Sequence, residues 1–198
     1  MLMKIIICIT LFILFILWTI LLVKNKLSRI DNIVYNKIKL NNKKTIFFKY
    51  FTNLASTKYF IIICLLLIIF LKNKLALLIS IAMIIDAIIV FIAKHIIKRE
   101  RPNINRIVEE KGYSYPSGHT FSATCFYGLV MFLINISSIT LGYQLLITIA
   151  LISIILLIGF SRIYLGVHYF SDCIGGLLLS SSYFILYVYL VSDILKLL

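Results

Sequence analysis

Between Ser161 and Asp172 the sequence SRIYLGVHYFSD sets an arginine, a histidine and an aspartate close together, beside strongly apolar stretches. A spacing of four residues puts His168 and Asp172 on one face if the segment is helical. A carboxylate so placed accepts a hydrogen bond from one imidazole nitrogen and leaves the other free to attack. Arg162 adds a planar, permanent charge suited to a phosphate or a carboxylate.

Two further segments carry groups of the same kind. Lys94 and Arg101 are seven residues apart, two turns of a helix, and so share a face if the helix runs that far. Pro102 then predicts the helix end, because proline cannot continue the ladder and disfavours helix in the residue before it. Two cations at a membrane boundary suit a phosphate, although any such pair also serves as membrane-flanking charge. Pro116–Ser117–Gly118–His119 reads as a helix start: Ser117 can cap, Gly118 lets a ligand approach the backbone, and the free N–H groups attract an anion. His119 would stand at the edge of that anion site, where an acid could protonate a leaving oxygen. Alone, the tetrapeptide reads equally as an ordinary cap.

The elements that must hold these groups are membrane helices. The chain has 198 residues, is 62% hydrophobic and has a mean hydropathy of +1.08. That composition predicts an all-α integral membrane protein, a six-transmembrane-helix bundle in one domain covering 1–198, with no room for a second domain of ordinary size. The apolar runs predict spans at about 5–23, 56–71, 75–97, 120–140, 144–161 and 173–195. The first run is long for a signal peptide, and no small-residue cleavage site follows it. Short links are expected at Lys72–Lys74 and Leu141–Tyr143, and the active-site segments are 94–119 and 161–172.

The formal charge of +13 would suggest nucleic acid for a soluble chain. Here the cations crowd beside apolar spans, so anionic headgroups and lipid phosphates are the expected partners, and nucleic acid is not. A basic connector runs from Lys24 to Lys58 with Lys26, Arg29, Lys37, Lys39, Lys43, Lys44 and Lys49. Its stretch Ile46–Phe51 is aromatic enough for the membrane interface. Cys8, Cys64, Cys125 and Cys173 lie in or beside apolar runs and read as small buried hydrophobes. Asp86 falls mid-span; it reads first as an interhelical hydrogen-bonding group, and an intramembrane acid is also a functional candidate. With six spans, the links after the first, third and fifth share one side, so both histidine-bearing segments can meet over one site.

K-x6-RP at Lys94–Pro102, PSGH at Pro116–His119 and SR-x5-H-x3-D at Ser161–Asp172 occur in that order. Together they closely resemble the signature of the type-2 phosphatidic acid phosphatase superfamily. That group includes membrane lipid phosphatases, bacterial phosphatidylglycerophosphate and undecaprenyl pyrophosphate phosphatases, and soluble vanadium haloperoxidases. The resemblance runs from about Ala55 to the C-terminus and favours the membrane branch. It departs where Arg99 and Arg101 flank Glu100, a place where many relatives have proline, and at Phe170–Ser171, where Pro-Thr is common.

The resemblance implies hydrolysis of a lipid phosphate or pyrophosphate through a phosphohistidine. His168 would be the nucleophile, Asp172 its orienting carboxylate, and His119 the acid that protonates the leaving oxygen and then activates water. Lys94, Arg101 and Arg162, with the Ser117 hydroxyl and the Gly118 N–H, would hold the phosphoryl oxygens. Three permanent cations can supply the stabilisation that metals give elsewhere, and the carboxylates in these segments make a poor two-metal set, so no metal and no cofactor are expected. The expected partners are a membrane lipid phosphate and the bilayer, with no obligate protein partner. A phosphotransferase would use the same residues. A transporter would leave the two histidines without a reason, and no inverted repeat is visible. Membrane relatives usually carry the site on the extracytoplasmic face, and that is the expectation here. The eight or so cations of the first link, read literally by the positive-inside rule, argue for the opposite side.

Overall fold

The computed structural model describes residues 2–38, 42–103 and 106–195; Lys39, Leu40 and Asn41 of the basic connector lie outside the described residues. Among the described residues the chain is helical, with no strand. α1 (Leu2–Val23), α5 (Lys74–Ile97), α6 (Gly118–Ile136), α7 (Leu141–Tyr164) and most of α8 (Phe170–Leu195) are each long and apolar enough to cross a bilayer.

The expected second span is built differently. α4 (Thr57–Leu71) has 15 residues, a rise of only about 22 Å. It reaches spanning length only with Lys43–Ala55, from which it is bent by 45°. That preceding piece comprises α3 (Asn42–Phe51) and a 3₁₀ turn, Thr52–Ala55. The break falls at Ser56, which is extended and accepts a hydrogen bond from the Tyr59 N–H at 3.4 Å, starting a new helix. With the bent pair counted as one, six segments of the described residues are long and apolar enough to cross.

The fourth and fifth spans also shift. α6 ends at Ile136 and α7 begins at Leu141, so the link is Ser137–Thr140 and not Leu141–Tyr143. Ser137 Oγ bonds back to the Ile134 carbonyl at the end of α6, and Thr140, extended, is the N-cap residue of α7, its carbonyl accepting the Gln144 N–H. α5 starts at Asn73, whose side chain accepts from the Ala76 N–H at 3.0 Å.

α6 sits at the centre, packed against α5, α7 and α8, while α1 runs along α8. Close approach comes from small residues: Ala82 and Ala123 are fully buried, and a Cβ on Gly128 would stand 3.3 Å from the Phe184 ring. Hydrogen bonds from α8 stitch the bundle, with Tyr183 Oη to the Ala82 carbonyl, Tyr187 Oη to Leu78 and Ser180 Oγ to Phe121. The outer faces of α1, α4 and α7 are exposed Ile, Leu and Phe, as a lipid-facing surface requires. The four cysteines are free, and three of them are buried. α2 (Ser28–Lys37), in the first link, packs against α8, and through it the first, third and fifth links meet.

Candidate active site

Where α7 ends at Tyr164, the chain turns through Gly166, whose φ of 71° lies in the left-handed region that glycine favours. The N–H groups of Val167 and His168 both point back to the Arg162 carbonyl, at 3.2 and 3.3 Å. Residues 161–168 are all buried. α8 begins only at Phe170, so His168 precedes the helix and does not share a helical face with Asp172 as the spacing suggested. The turn closes the gap instead: Asp172 Oδ2 accepts the Tyr169 N–H at 2.9 Å and stands 3.4 Å from His168 Nδ1. Nδ1 has no hydrogen-bond partner at this distance.

Arg101 is likewise not on a helix. α5 stops at Ile97, because Lys98 adopts the left-handed conformation and its N–H closes onto the Lys94 carbonyl. Arg101 therefore sits on a non-helical strand of chain, pinned by the carbonyls of Gly112, Val167 and Lys111 at 3.0, 3.0 and 3.2 Å. Its Nη1 also lies 3.2 Å from His168 Nε2. A guanidinium only donates, so Nε2 is the lone-pair nitrogen and the ring proton falls on Nδ1, toward Asp172. Burial, reinforced by the charges of Arg162, Arg101 and Lys94, holds His168 well below the usual histidine range, so the ring is neutral.

The 115–118 stretch lies on the glycine pair of α8. A Cβ on Gly175 would come 2.5 Å from the Tyr115 ring, and one on Gly176 would come 2.8 Å from the Ser117 carbonyl. Ser117 does not cap α6 through its side chain; it is fully buried and its hydroxyl accepts from Thr120 at 3.0 Å, turned away from the cavities described below. Gly118 faces the site, since a Cβ there would stand 3.9 Å from Lys94 Nζ.

A cavity of about 670 Å³ begins among Lys94, Arg101, Gly118, His119 and His168 and continues along apolar side chains of α4 and α5, among them Phe60, Leu65 and Phe91. A second, of about 470 Å³, is lined by Arg162, His119 and Thr52. Glu110 borders both. Its carboxylate pairs with Arg162 and lies 3.9 Å from Arg101 Nη2. Thus Lys94, Arg101, Gly118, His119, Arg162, His168 and Asp172 come together, and the Ser117 hydroxyl does not. Among the described residues no three His, Cys, Asp or Glu side chains gather as a metal site would need.

The sequence reading missed the support behind Asp172. Arg99 Nη1 donates to Asp172 Oδ1 at 2.5 Å, and Nη2 donates to Asp31 Oδ2 at 2.8 Å. Asp31, on α2 and 2% exposed, also accepts from the N–H and hydroxyl of Ser171. The Arg99 guanidinium stacks 4.0 Å over the Tyr169 ring. From α1, Trp18 Nε1 donates to the Ser171 carbonyl at 3.0 Å and Thr19 bonds the Tyr115 hydroxyl. The one available signal was Asp31 itself, the lone acid in a strongly basic connector.

Comparison with known proteins agrees with this layout. Phosphatidylglycerophosphatase B of Bacillus subtilis (strain 168) is 35% identical over 92 residues, 46% of this chain and 45% of that protein. The matched stretch therefore spans less than half of the curated relative. The crystal structure of a transmembrane PAP2-type phosphatidylglycerolphosphate phosphatase from Bacillus subtilis superposes with a TM-score of 0.84 at 25% identity, over 94% of this chain and 96% of that one. LpxE of Aquifex aeolicus shares the fold, with a TM-score of 0.64 at 23% identity over 82% of this chain and 94% of that one. The sequence pattern of the PAP2 superfamily matches residues 75–196, the part that carries every histidine and Arg99, Arg101 and Arg162 of the site, and this chain belongs to that superfamily.

Proposed function

We propose that this multi-pass membrane protein hydrolyses a lipid phosphate through a phosphohistidine on His168. The observation that carries the reading is the continuity of the main cavity: a cluster of cations and two histidines at one end, hydrocarbon walls along the rest. A phosphorylated headgroup and its tail would lie in it at once.

His168 Nε2 attacks phosphorus, and the bond from phosphorus to the lipid oxygen breaks. His119, at the same end of the cavity, takes up the proton that a phosphate monoanion brings and passes it to that oxygen as it leaves. Now neutral, His119 takes a proton from water; the hydroxide attacks the phosphohistidine, breaks the P–N bond and frees phosphate. Asp172 stabilises the His168 Nδ1 proton throughout, its 3.4 Å separation shortening as positive charge builds on the ring. Lys94, Arg101, Arg162 and the Gly118 N–H hold the phosphoryl oxygens. The Ser117 hydroxyl, turned inward, contributes to the packing of this wall and not to the phosphate. Glu110 is ion-paired with Arg162, so a phosphate that binds Arg162 competes with a carboxylate.

Phosphatidylglycerophosphate is the first substrate to test, given the names of the Bacillus subtilis relatives, with phosphatidate and undecaprenyl pyrophosphate beside it. Purified protein in chelator should release phosphate from at least one of them, and His168→Ala should lower the rate by roughly a thousandfold or more. Equal release by the variant, or loss in chelator with recovery on adding magnesium, would sink the mechanism. The site is assigned to the extracytoplasmic face; a topology reporter fused after Leu198 should then report the cytoplasm, and an external C-terminus would reverse the assignment.

A further inference from the structure

Beyond its cationic end the main cavity is mostly hydrocarbon-lined, and that stretch carries one acid. Asp86, in the middle of α5, stands on its wall and is 1% exposed. Its Oδ2 accepts the Ser122 hydroxyl from α6 at 2.6 Å. Its Oδ1 is buried and has no hydrogen-bond partner. Among the described residues no cation lies within ion-pairing distance of it.

A link between two helices does not require such an arrangement. Serine on each helix would join α5 to α6 at far lower desolvation cost than an acid deep in a bilayer. The Cys125 thiol of α6 lies beside the carboxylate but is only a weak partner, so Oδ1 remains short of a strong one at this depth. The acid without a counter-cation is tolerated in hydrocarbon as the neutral carboxyl group. In that form Oδ2 is the carbonyl oxygen already used by Ser122, and Oδ1 bears a hydroxyl with no strong acceptor beside it.

Depth then identifies the partner. Asp86 is eight residues from Lys94, a rise of about 12 Å along α5. Ser122 is one turn inward from Gly118, about 6 Å. The group that meets Asp86 therefore sits on the order of 10 Å from the phosphorus. In a diacylglycerol phosphate the ester carbonyl oxygens are six or seven bonds from phosphorus, about 8 Å when extended. A polyprenyl phosphate offers only hydrocarbon at that depth.

We propose that Asp86, oriented by Ser122, hydrogen-bonds an ester carbonyl of the lipid and so selects glycerolipid phosphates over polyprenyl phosphates. This rests on the lipid phosphatase reading above and names its substrate class. A polyprenyl chain would leave Oδ1 unsatisfied beside it, whereas the ester satisfies it.

The test compares three substrates in the same detergent: dioleoyl phosphatidate, its diether analogue, which lacks only the carbonyls, and farnesyl phosphate. Wild type should favour the diester in kcat/KM. Asp86→Leu should lose about tenfold on the diester and change little on the other two, while Asp86→Asn, which keeps an N–H donor, should retain most of the diester preference. Equal loss on all three lipids by Asp86→Leu, or no loss on any, overturns the proposal; monodisperse elution of both variants excludes misfolding as the cause. If wild type releases phosphate from none of the lipids, the phosphatase reading itself fails. If it hydrolyses all three without favouring the diester, only the role of Asp86 fails.

Discussion

The turn joining α7 to α8 and the link joining α5 to α6 both deliver charge to one site, and they are held in opposite ways. Residues 164–168 are buried, and the turn is fixed through its backbone: Val167 and His168 bond to Arg162, and the Leu165 carbonyl accepts from Ile107. The α5–α6 link is partly exposed and adds to a few backbone bonds, Ser114 N–H to Arg99 and Ser117 N–H to Asp172 among them, many side-chain contacts: Arg99 on two carboxylates, Arg101 on three carbonyls and Glu110 on Arg162. A backbone-held residue keeps its place whatever is bound. Side-chain contacts can be exchanged one at a time, and some must be exchanged for substrate to enter. The first arrangement suits a nucleophile; the second suits a phosphate cradle.

Arg99 joins the two regions, so removing it gives the largest break. Among the described residues it is the one cation that neutralises both Asp31 and Asp172 in ion pairs, and their side chains are 2% and 0% exposed. Arg99→Ala leaves two buried carboxylates without a counterion, which costs about 3 kcal/mol or more in folding stability. Activity should fall as well, because Asp172 loses the contact that holds its Oδ1. Arg99→Ala combined with Asp31→Asn removes one of the stranded charges, so its loss in thermal stability should be smaller than the sum of the two single losses. Thermal unfolding of the detergent-solubilised variants measures this, and strictly additive losses would mean that the three residues do not act as a network.

Arg99 also shows where sequence reading stops. Motif spacing picked out Lys94, Arg101, Gly118, His119, Arg162 and His168, which line the two cavities, because their order along the chain carries the resemblance and each has a chemical reason to be there. It misplaced how two of them arrive. Seven residues between Lys94 and Arg101 suggested a shared helical face, but Lys98 ends the helix in the left-handed conformation, and Arg101 reaches the site through loop carbonyls. Four residues between His168 and Asp172 suggested the same, and a turn does the work instead. Spacing fixes a separation only when the intervening backbone is known. Apolar runs gave the spans to within a few residues wherever polar caps flank them; the second, read as 56–71, matches α4 but reaches spanning length only with the piece before the 45° bend at Ser56. Asp31 lies 141 residues from Asp172 in sequence, and its partnership with Arg99 depends on α2 folding back over α8, which no local pattern encodes.

Glu110 gives the smallest expected effect and sharpens the contrast most directly. Its carboxylate lies on Arg162 and near Arg101, two of the cations assigned to the phosphoryl group, and is 29% exposed. It is thus an internal anion in an anion site. Glu110→Gln keeps the shape and removes the charge, so inorganic phosphate and the lipid headgroup compete with a weaker occupant. The apparent affinity for both should rise by about three- to tenfold, at most about 1.4 kcal/mol, because the carboxylate is partly solvated and its loss also leaves Arg162 less well paired. The rate at saturating lipid should stay within about twofold, since Glu110 has no place in bond making or breaking. Inhibition by phosphate and KM for the lipid measure the two arms. A weaker affinity in both would mean that Glu110 organises the arginines for substrate, and the α5–α6 link would then be as fixed in function as the turn it faces.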